Sequence, residues 1–170
     1  ARSINMAVVK HLKQILEIAQ VLHITGETDY DVVEKSVQTS LSAELIKDYH
    51  VMPYLHDMGA ALASADVVLS RAGASSLGEY PYFELPAILV PYPYAWQYQK
   101  VNADYLANQN AAVILKDELL QEELFLVIKD ILLNEDKRQT MKAAMKKLSN
   151  PNAAELIASQ LVELAGEHPL

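Results

Sequence analysis

The sequence predicts an α/β fold, a Rossmann-like parallel sheet with helices on both faces, and three observations predict it. Short apolar, β-branched runs alternate with amphipathic helical stretches along the chain, the pattern of successive βαβ units. Two of those runs, Asp66-Val67-Val68-Leu69-Ser70 and Pro86-Ala87-Ile88-Leu89-Val90-Pro91, are apolar at consecutive positions, as strands buried on both faces are. The length, 170 residues, suits a single domain spanning 1–170 with one core.

Each element follows from its own pattern. Ile4, Val8, Leu12, Ile15 and Leu16 recur at helical spacing, so Ile4 to Ile18 reads as one amphipathic helix. Gln20 to Thr25 reads as a strand closed by Gly26, and Asp29 to Gln38 as a second helix. Tyr49 to Tyr54 is a short strand, after which Asp57 can cap a helix running to about Ala63. The run Asp66 to Ser70 is a buried strand. Gly73 then allows a tight turn into a helix from about Ser75, which should end near Pro81 to Phe83. Pro86 to Pro91 is another buried strand bounded by prolines. A loop from Tyr92 to Trp96 leads to a helix over Gln97 to Asn108, and Ala111 to Leu115 is the last strand. Helices fill most of Glu118 to Ala165, with a break near Asn150-Pro151. The last, near Ala153 to Ala165, carries Leu156, Ile157, Leu161 and Leu164 as an apolar stripe. It is expected either to dock on this sheet or to reach across to another domain.

Bulk composition removes several classes of function. Hydrophobic residues are 51% and charged residues 21%, a globular balance. The net charge of -8 opposes a general nucleic-acid surface and a polybasic membrane patch. Lys142, Lys146 and Lys147 read as a solvated helix face. With no cysteine, disulfides, thiolate metal sites and a cysteine nucleophile are all excluded. No apolar run is long enough to span a membrane. The chain opens Ala1-Arg2-Ser3-Ile4-Asn5 with neither a signal core nor an initiator methionine, and is expected to be cut from something longer.

In a sheet of this kind ligands sit beyond the carboxyl ends of the strands. The loop after Ser70 is therefore the first candidate. Arg71, Gly73, Ala74, Ser75 and Ser76 combine a turn, a helix start, two hydroxyls and a cation, a composition suited to an anion. Ser76-x-x-Glu79 is equally a capping box, and Ser75 can cap alone. Glu79 can take both hydroxyls of a ribose or simply close that cap. The second candidate is the Pro91 to Asn102 loop, where Tyr92, Tyr94, Trp96 and Tyr98 sit among Gln97 and Gln99, followed by Lys100 and Asn102. Aromatic faces beside amides suit a sugar, and they suit a protein interface as well. His11 and His23 read as packed or surface residues, whereas His56 lies where it could approach a ligand. No metal spacing, Walker-type loop, nucleophile elbow or acid–base pair is present, so the chain reads as a binding half with no catalytic residue of its own.

The order of these motifs carries a resemblance. Ala65 through Glu79, then Leu85-Pro86-Ala87-Ile88-Leu89-Val90-Pro91, then Gln99-x-x-Asn102-Ala103, resemble the MurG family of UDP-N-acetylglucosamine transferases. Ala1-Arg2-Ser3-Ile4-Asn5 resembles the tail of that family's Gly-Gly-Ser-x-Gly-Ala loop, whose glycines and preceding first strand would lie upstream. The resemblance covers essentially the whole chain. It implies the C-terminal, donor-binding domain of a GT-B enzyme, two Rossmann-like domains flanking a cleft. Leu55 would then meet uracil through its backbone, with Met58 beside the nucleotide. Ala74, Ser75 and Ser76 would hold the diphosphate, Arg71 would support or line that loop, Glu79 would take the ribose hydroxyls, and Gln99 the N-acetylglucosamine. Tyr98 departs from the glutamine or glutamate that often precedes Gln99. The implied reaction is inverting transfer of N-acetylglucosamine from UDP-N-acetylglucosamine to lipid I, forming lipid II, with neither metal nor cofactor. The acceptor and the base would belong to the absent N-terminal domain. The implied location is cytoplasmic, peripheral on the inner membrane. Two alternatives remain. One is another GT-B UDP-sugar transferase, or its donor-binding subunit; the other is a non-catalytic regulatory or interaction α/β domain.

Overall fold

A computed structural model describes residues 1–94 and 98–167, excluding the side chain of 167. Along it run helix α1 (Arg2–Leu16), strand β1 (Val21–Ile24), α2 (Glu27–Ser40), β2 (Tyr49–Met52), α3 (Met58–Ser64), β3 (Val68–Ser70) and α4 (Ser76–Tyr82). There follow β4 (Ala87–Leu89), α5 (Tyr98–Asn108), β5 (Ala112–Ile114), α6 (Leu120–Leu133), α7 (Glu135–Leu148) and α8 (Ala153–Glu167). Two 3-10 turns, Leu45–Asp48 and Asp117–Leu119, lead into β2 and α6; the periodicity alone did not single them out. The expected first residue of the fifth helix, Gln97, lies outside the described residues.

All ladders are parallel, as the alternation of elements requires, but they form two pieces. β1 pairs with β2 in the register Val21↔Tyr49, and β3–β4–β5 pair in the registers Val68↔Ala87 and Ala87↔Ala112. β1 and β3 thus each keep one flank without a ladder partner among the described residues. This corrects the expectation of a fully buried Asp66 to Ser70 strand: Val68, Leu69 and Ser70 are only half-buried, because one edge of β3 has no neighbouring strand.

β4 is the centre of the fold, with Ala87, Ile88, Leu89 and Val90 all fully buried. Its side chains alternate between two cores, as period-two geometry dictates. Ile88 and Val90 join α1 (Ile4, Val8, Leu12), α2 (Val33, Val37) and α6 (Leu120, Leu124, Ile131). Ala87 and Leu89 join Leu62 of α3, Tyr80 of α4, Leu106 of α5 and Met145 of α7. Helices therefore cover both faces. The break between α6 and α7 falls at Asn134, whose side chain accepts a hydrogen bond from the Lys137 N–H at 3.0 Å, a helix start that the helical run conceals. In α8, Leu156, Ile157, Leu161 and Leu164 are exposed, so the stripe does not dock on this sheet.

Candidate functional site

The loops at the carboxyl ends of the strands converge on one edge, and α1 points its first turn there. Asn5 Nδ2 donates to the carbonyl of Thr25 at the end of β1, while Ser3 Oγ accepts from Arg71 at the end of β3. The 71–76 loop occupies that edge and is braced from all sides. Tyr80 Oη donates to Ser70 Oγ at 2.8 Å, which donates to the Arg71 carbonyl at 2.9 Å. Asn102 Nδ2 donates to the Ala72 carbonyl at 3.0 Å, and Ser76 Oγ to the Gly73 carbonyl at 2.5 Å. Burial within this packing raises the Tyr80 hydroxyl above its ordinary pKa, keeping it protonated as the donor.

This bracing decides what the loop offers. Its carbonyls at Arg71, Ala72 and Gly73 are occupied, whereas the N–H groups of Gly73, Ala74 and Ser75 have no acceptor among the described residues. The loop thus presents donors and hides acceptors, which is what an anion requires. Ala74 and Ser75 are exposed, and Glu79 is exposed one turn further on, its carboxylate without a hydrogen-bond partner among the described residues.

Two sequence expectations are corrected here. The capping box does not form: Ser76 is buried with its hydroxyl turned to Gly73, and Ser75 occupies the N-cap without a side-chain hydrogen bond. A serine at that position gains more from closing the turn inward than from reaching along the helix. Nor does the turn need a glycine. Gly73 has no positive φ, and a Cβ built there would meet nothing within 4 Å. The glycine leaves space above the donors instead. Gly26, at the end of β1, is the residue whose backbone (φ 78°, ψ 151°) does require glycine.

The guanidinium of Arg71 is engaged inside the protein. It pairs with Asp117 Oδ1 at 2.6 Å, donates to the Val90 carbonyl at 3.1 Å and to Ser3 Oγ at 2.7 Å, and lies over the Tyr92 ring at 5.1 Å. Leu55 is half-buried in the loop after β2, and Met58 is exposed at the start of α3, where Asp57 caps as expected by accepting from the Ala60 N–H at 3.0 Å. His56 is exposed with its ring edge-on to Tyr54. Gln99 is half-buried, and its Oε1 accepts from the Tyr92 N–H at 2.9 Å. That bond ties Tyr92 to the first turn of α5 and leaves the amide NH2 to donate. Trp96 and Gln97, expected as part of a sugar-binding cluster, lie outside the described residues.

The sequence reading missed the buried polar group beneath the α1 terminus. Asn5 Nδ2 donates to both Thr25 O and Asp29 Oδ2, so its Oδ1 is the acceptor for His23 Nε2 at 3.1 Å. His23 Nδ1 is then the acceptor for the Tyr49 hydroxyl at 2.9 Å. Burial pulls the His23 pKa down to about 4, so the ring is neutral at pH 7. Arg2 sits at the outer end of the chain of contacts, exposed, 3.7 Å from Asp29. Only the spacing of polar positions within apolar runs, Asn5 and His23, hinted at this group.

Comparison with known proteins places this geometry in context. The model of the glycosyltransferase family 28 C-terminal domain matches residues 1–157. A UDP-N-acetylglucosamine–N-acetylmuramyl-(pentapeptide) pyrophosphoryl-undecaprenol N-acetylglucosamine transferase from Desulforamulus reducens is 40% identical over 158 residues, covering 90% of this chain and 42% of the relative. The enzyme of the same name from Chlorobium luteolum is 36% identical over 170 residues, covering 99% of this chain and 45% of its own. The chain thus spans less than half the length of these relatives. Among solved structures, Acinetobacter baumannii MurG superposes with a TM-score of 0.80 at 25% identity, over 96% of this chain and 46% of that one. A UDP-N-acetylglucosamine 2-epimerase shares the fold with a TM-score of 0.67 at 16% identity, over 100% of this chain and 43% of that one.

Proposed function

The chain belongs to glycosyltransferase family 28, as its C-terminal domain, and from that premise we propose that it is the donor half of an enzyme moving N-acetylglucosamine from UDP-N-acetylglucosamine to the undecaprenyl-linked muramyl acceptor, lipid I. The observation that carries the reading is the 71–76 loop, with three N–H groups and, one turn beyond, a carboxylate that have no hydrogen-bond partner among the described residues. The N–H groups of Gly73, Ala74 and Ser75, with the Ser75 hydroxyl, receive the diphosphate. Ser76 holds the turn rather than the ligand. Glu79 accepts from the ribose hydroxyls, Leu55 and Met58 border the base, and the Gln99 NH2 donates to the sugar.

In that role the loop stabilises the diphosphate as it leaves the anomeric carbon, where negative charge grows and fixed N–H dipoles need no reorganisation. A base from the other half of the enzyme removes the proton of the acceptor hydroxyl, and the anomeric centre inverts. No described helix is long and apolar enough to cross a membrane. The family to which the chain belongs, rather than any feature of this domain, supports a full-length protein that meets its lipid-linked acceptor as a peripheral protein on the cytoplasmic face of the inner membrane.

Calorimetric titration with UDP and UDP-N-acetylglucosamine tests the assignment. Both should bind, and Glu79→Ala should weaken UDP about tenfold, the loss of a hydrogen bond to a charged group. No heat up to millimolar UDP overturns it. Transfer to a lipid I analogue by this chain alone would overturn the view that it is only the donor half.

A further inference from the structure

We propose that Arg71 and Asp117 are a positioning pair for the 71–76 loop, and that the Arg71 guanidinium does not itself bind the donor phosphates. An arginine beside an anion-binding loop invites the opposite reading, but its surroundings argue against it. The guanidinium joins four separate segments: the first turn of α1 through Ser3, the end of β3 on which it stands, the end of β4 through the Val90 carbonyl, and the Asp117–Leu119 turn after β5. Ser3 Oγ also donates to Asp117 Oδ1 at 2.8 Å, so Arg71, Asp117 and Ser3 close a ring of contacts. Tyr92 covers one face of the guanidinium at 5.1 Å. The Arg71 and Asp117 side chains are 18% and 23% exposed, shielded enough for the pair to hold a fixed geometry.

Turning the guanidinium toward a phosphate would unpair Asp117 and break the contacts with Ser3 and Val90 together. Left in place, it fixes the Arg71 backbone, and with it the loop that presents the Gly73 to Ser75 N–H groups. It also ties that loop to α1, which Asn5 anchors to the other ladder through Thr25. The partially unpaired sheet is thus spanned at its ligand edge by side chains.

The two roles predict opposite signs for one substitution. The proposal rests on the diphosphate reading of the loop, so UDP is the probe, titrated into the full-length protein and its variants with uridine as the phosphate-free control. With a positioning pair, Asp117→Asn should weaken UDP about tenfold with uridine little changed. Asp117→Glu should recover most of the loss, and Arg71→Gln combined with Asp117→Asn should be no worse than Arg71→Gln alone. If Arg71 were a phosphate ligand, Asp117→Asn would release it, and UDP would bind as well or better; that result overturns the proposal. Parallel losses of UDP and uridine would also overturn it, by showing general destabilisation. Ser3→Ala removes one contact without unpairing a charge and should give a smaller loss of the same kind if Asp117→Asn folds poorly. Failure of the unaltered protein to bind UDP sinks the diphosphate reading and this proposal with it, whereas binding that survives Asp117→Asn sinks this proposal alone.

Discussion

Gly73 and Ser76 show how little of a residue's role its type announces. Gly73 reads as the turn-maker and Ser76 as a cap or an anion donor, yet the turn is closed by the Ser76 hydroxyl and the glycine stands in open space. Gly73→Ala should therefore leave the melting temperature within a degree or two while weakening UDP severalfold, since a methyl group would crowd the approach to the N–H groups. Unchanged UDP affinity would remove Gly73 from the site. His23 makes a different prediction. Its folded pKa of about 4 lies below the 6.5 of the unfolded chain. Between those values the unfolded chain binds a proton that the folded chain refuses. Stability from this group is complete above pH 6.5 and falls as pH drops toward 4, by at most on the order of 3 kcal/mol. Urea midpoints at pH 7.5 and pH 5 measure the loss, and His23→Gln should flatten it. An equal slope in that variant would assign the acid sensitivity elsewhere.

Among the elements, the strands and most helices were legible because period and propensity are local. The apolar spacing from Ile4 to Leu16 became α1, and the proline-bounded run became β4, buried throughout. Asp57 was readable as a cap for the same reason. The start of α7 was not, because Asn134 sits within a continuous run of good helix formers. Asn134→Ala should cost about 1 kcal/mol, as loss of a cap does, seen as a lower urea midpoint with the donor affinity unchanged. A neutral effect would mean that the 3.0 Å bond to the Lys137 N–H contributes nothing beyond what water supplies.

At the scale of the whole molecule, the split ladder is the outstanding feature. The Thr25 N–H bonds to the Met52 carbonyl, so Leu22 and Ile24 turn their backbone groups away from β2. The Val68 N–H bonds to the Pro86 carbonyl, so Leu69 likewise faces away from β4. A strand ahead of α1, expected from the resemblance, would lie between β1 and β3 and take up these groups. In protein extended through that strand, the amides of Leu22, Ile24 and Leu69 should exchange with solvent far more slowly than in the 170-residue chain. Equal exchange rates in both would rule out that placement.

The order of motifs carried the family resemblance from which the roles of Leu55, the 71–76 loop, Glu79 and Gln99 are proposed, and by itself the sequence determined the α/β alternation and the parallel sheet with helices on both faces. Those properties depend on neighbours a few positions apart, and so they can be read along the chain. Only the tertiary structure decided that Ser76 turns inward, that Arg71 belongs to Asp117 and Ser3, that Asn5 and His23 form one buried group with Asp29 and Tyr49, and that the ladder divides between β1 and β3. A hydrogen bond is won by whichever donor and acceptor the fold brings within about 3 Å, and for these side chains the winning partner is remote in sequence. The composition that suits the loop to an anion therefore had a sequence signature, while the contacts that hold it in shape had none.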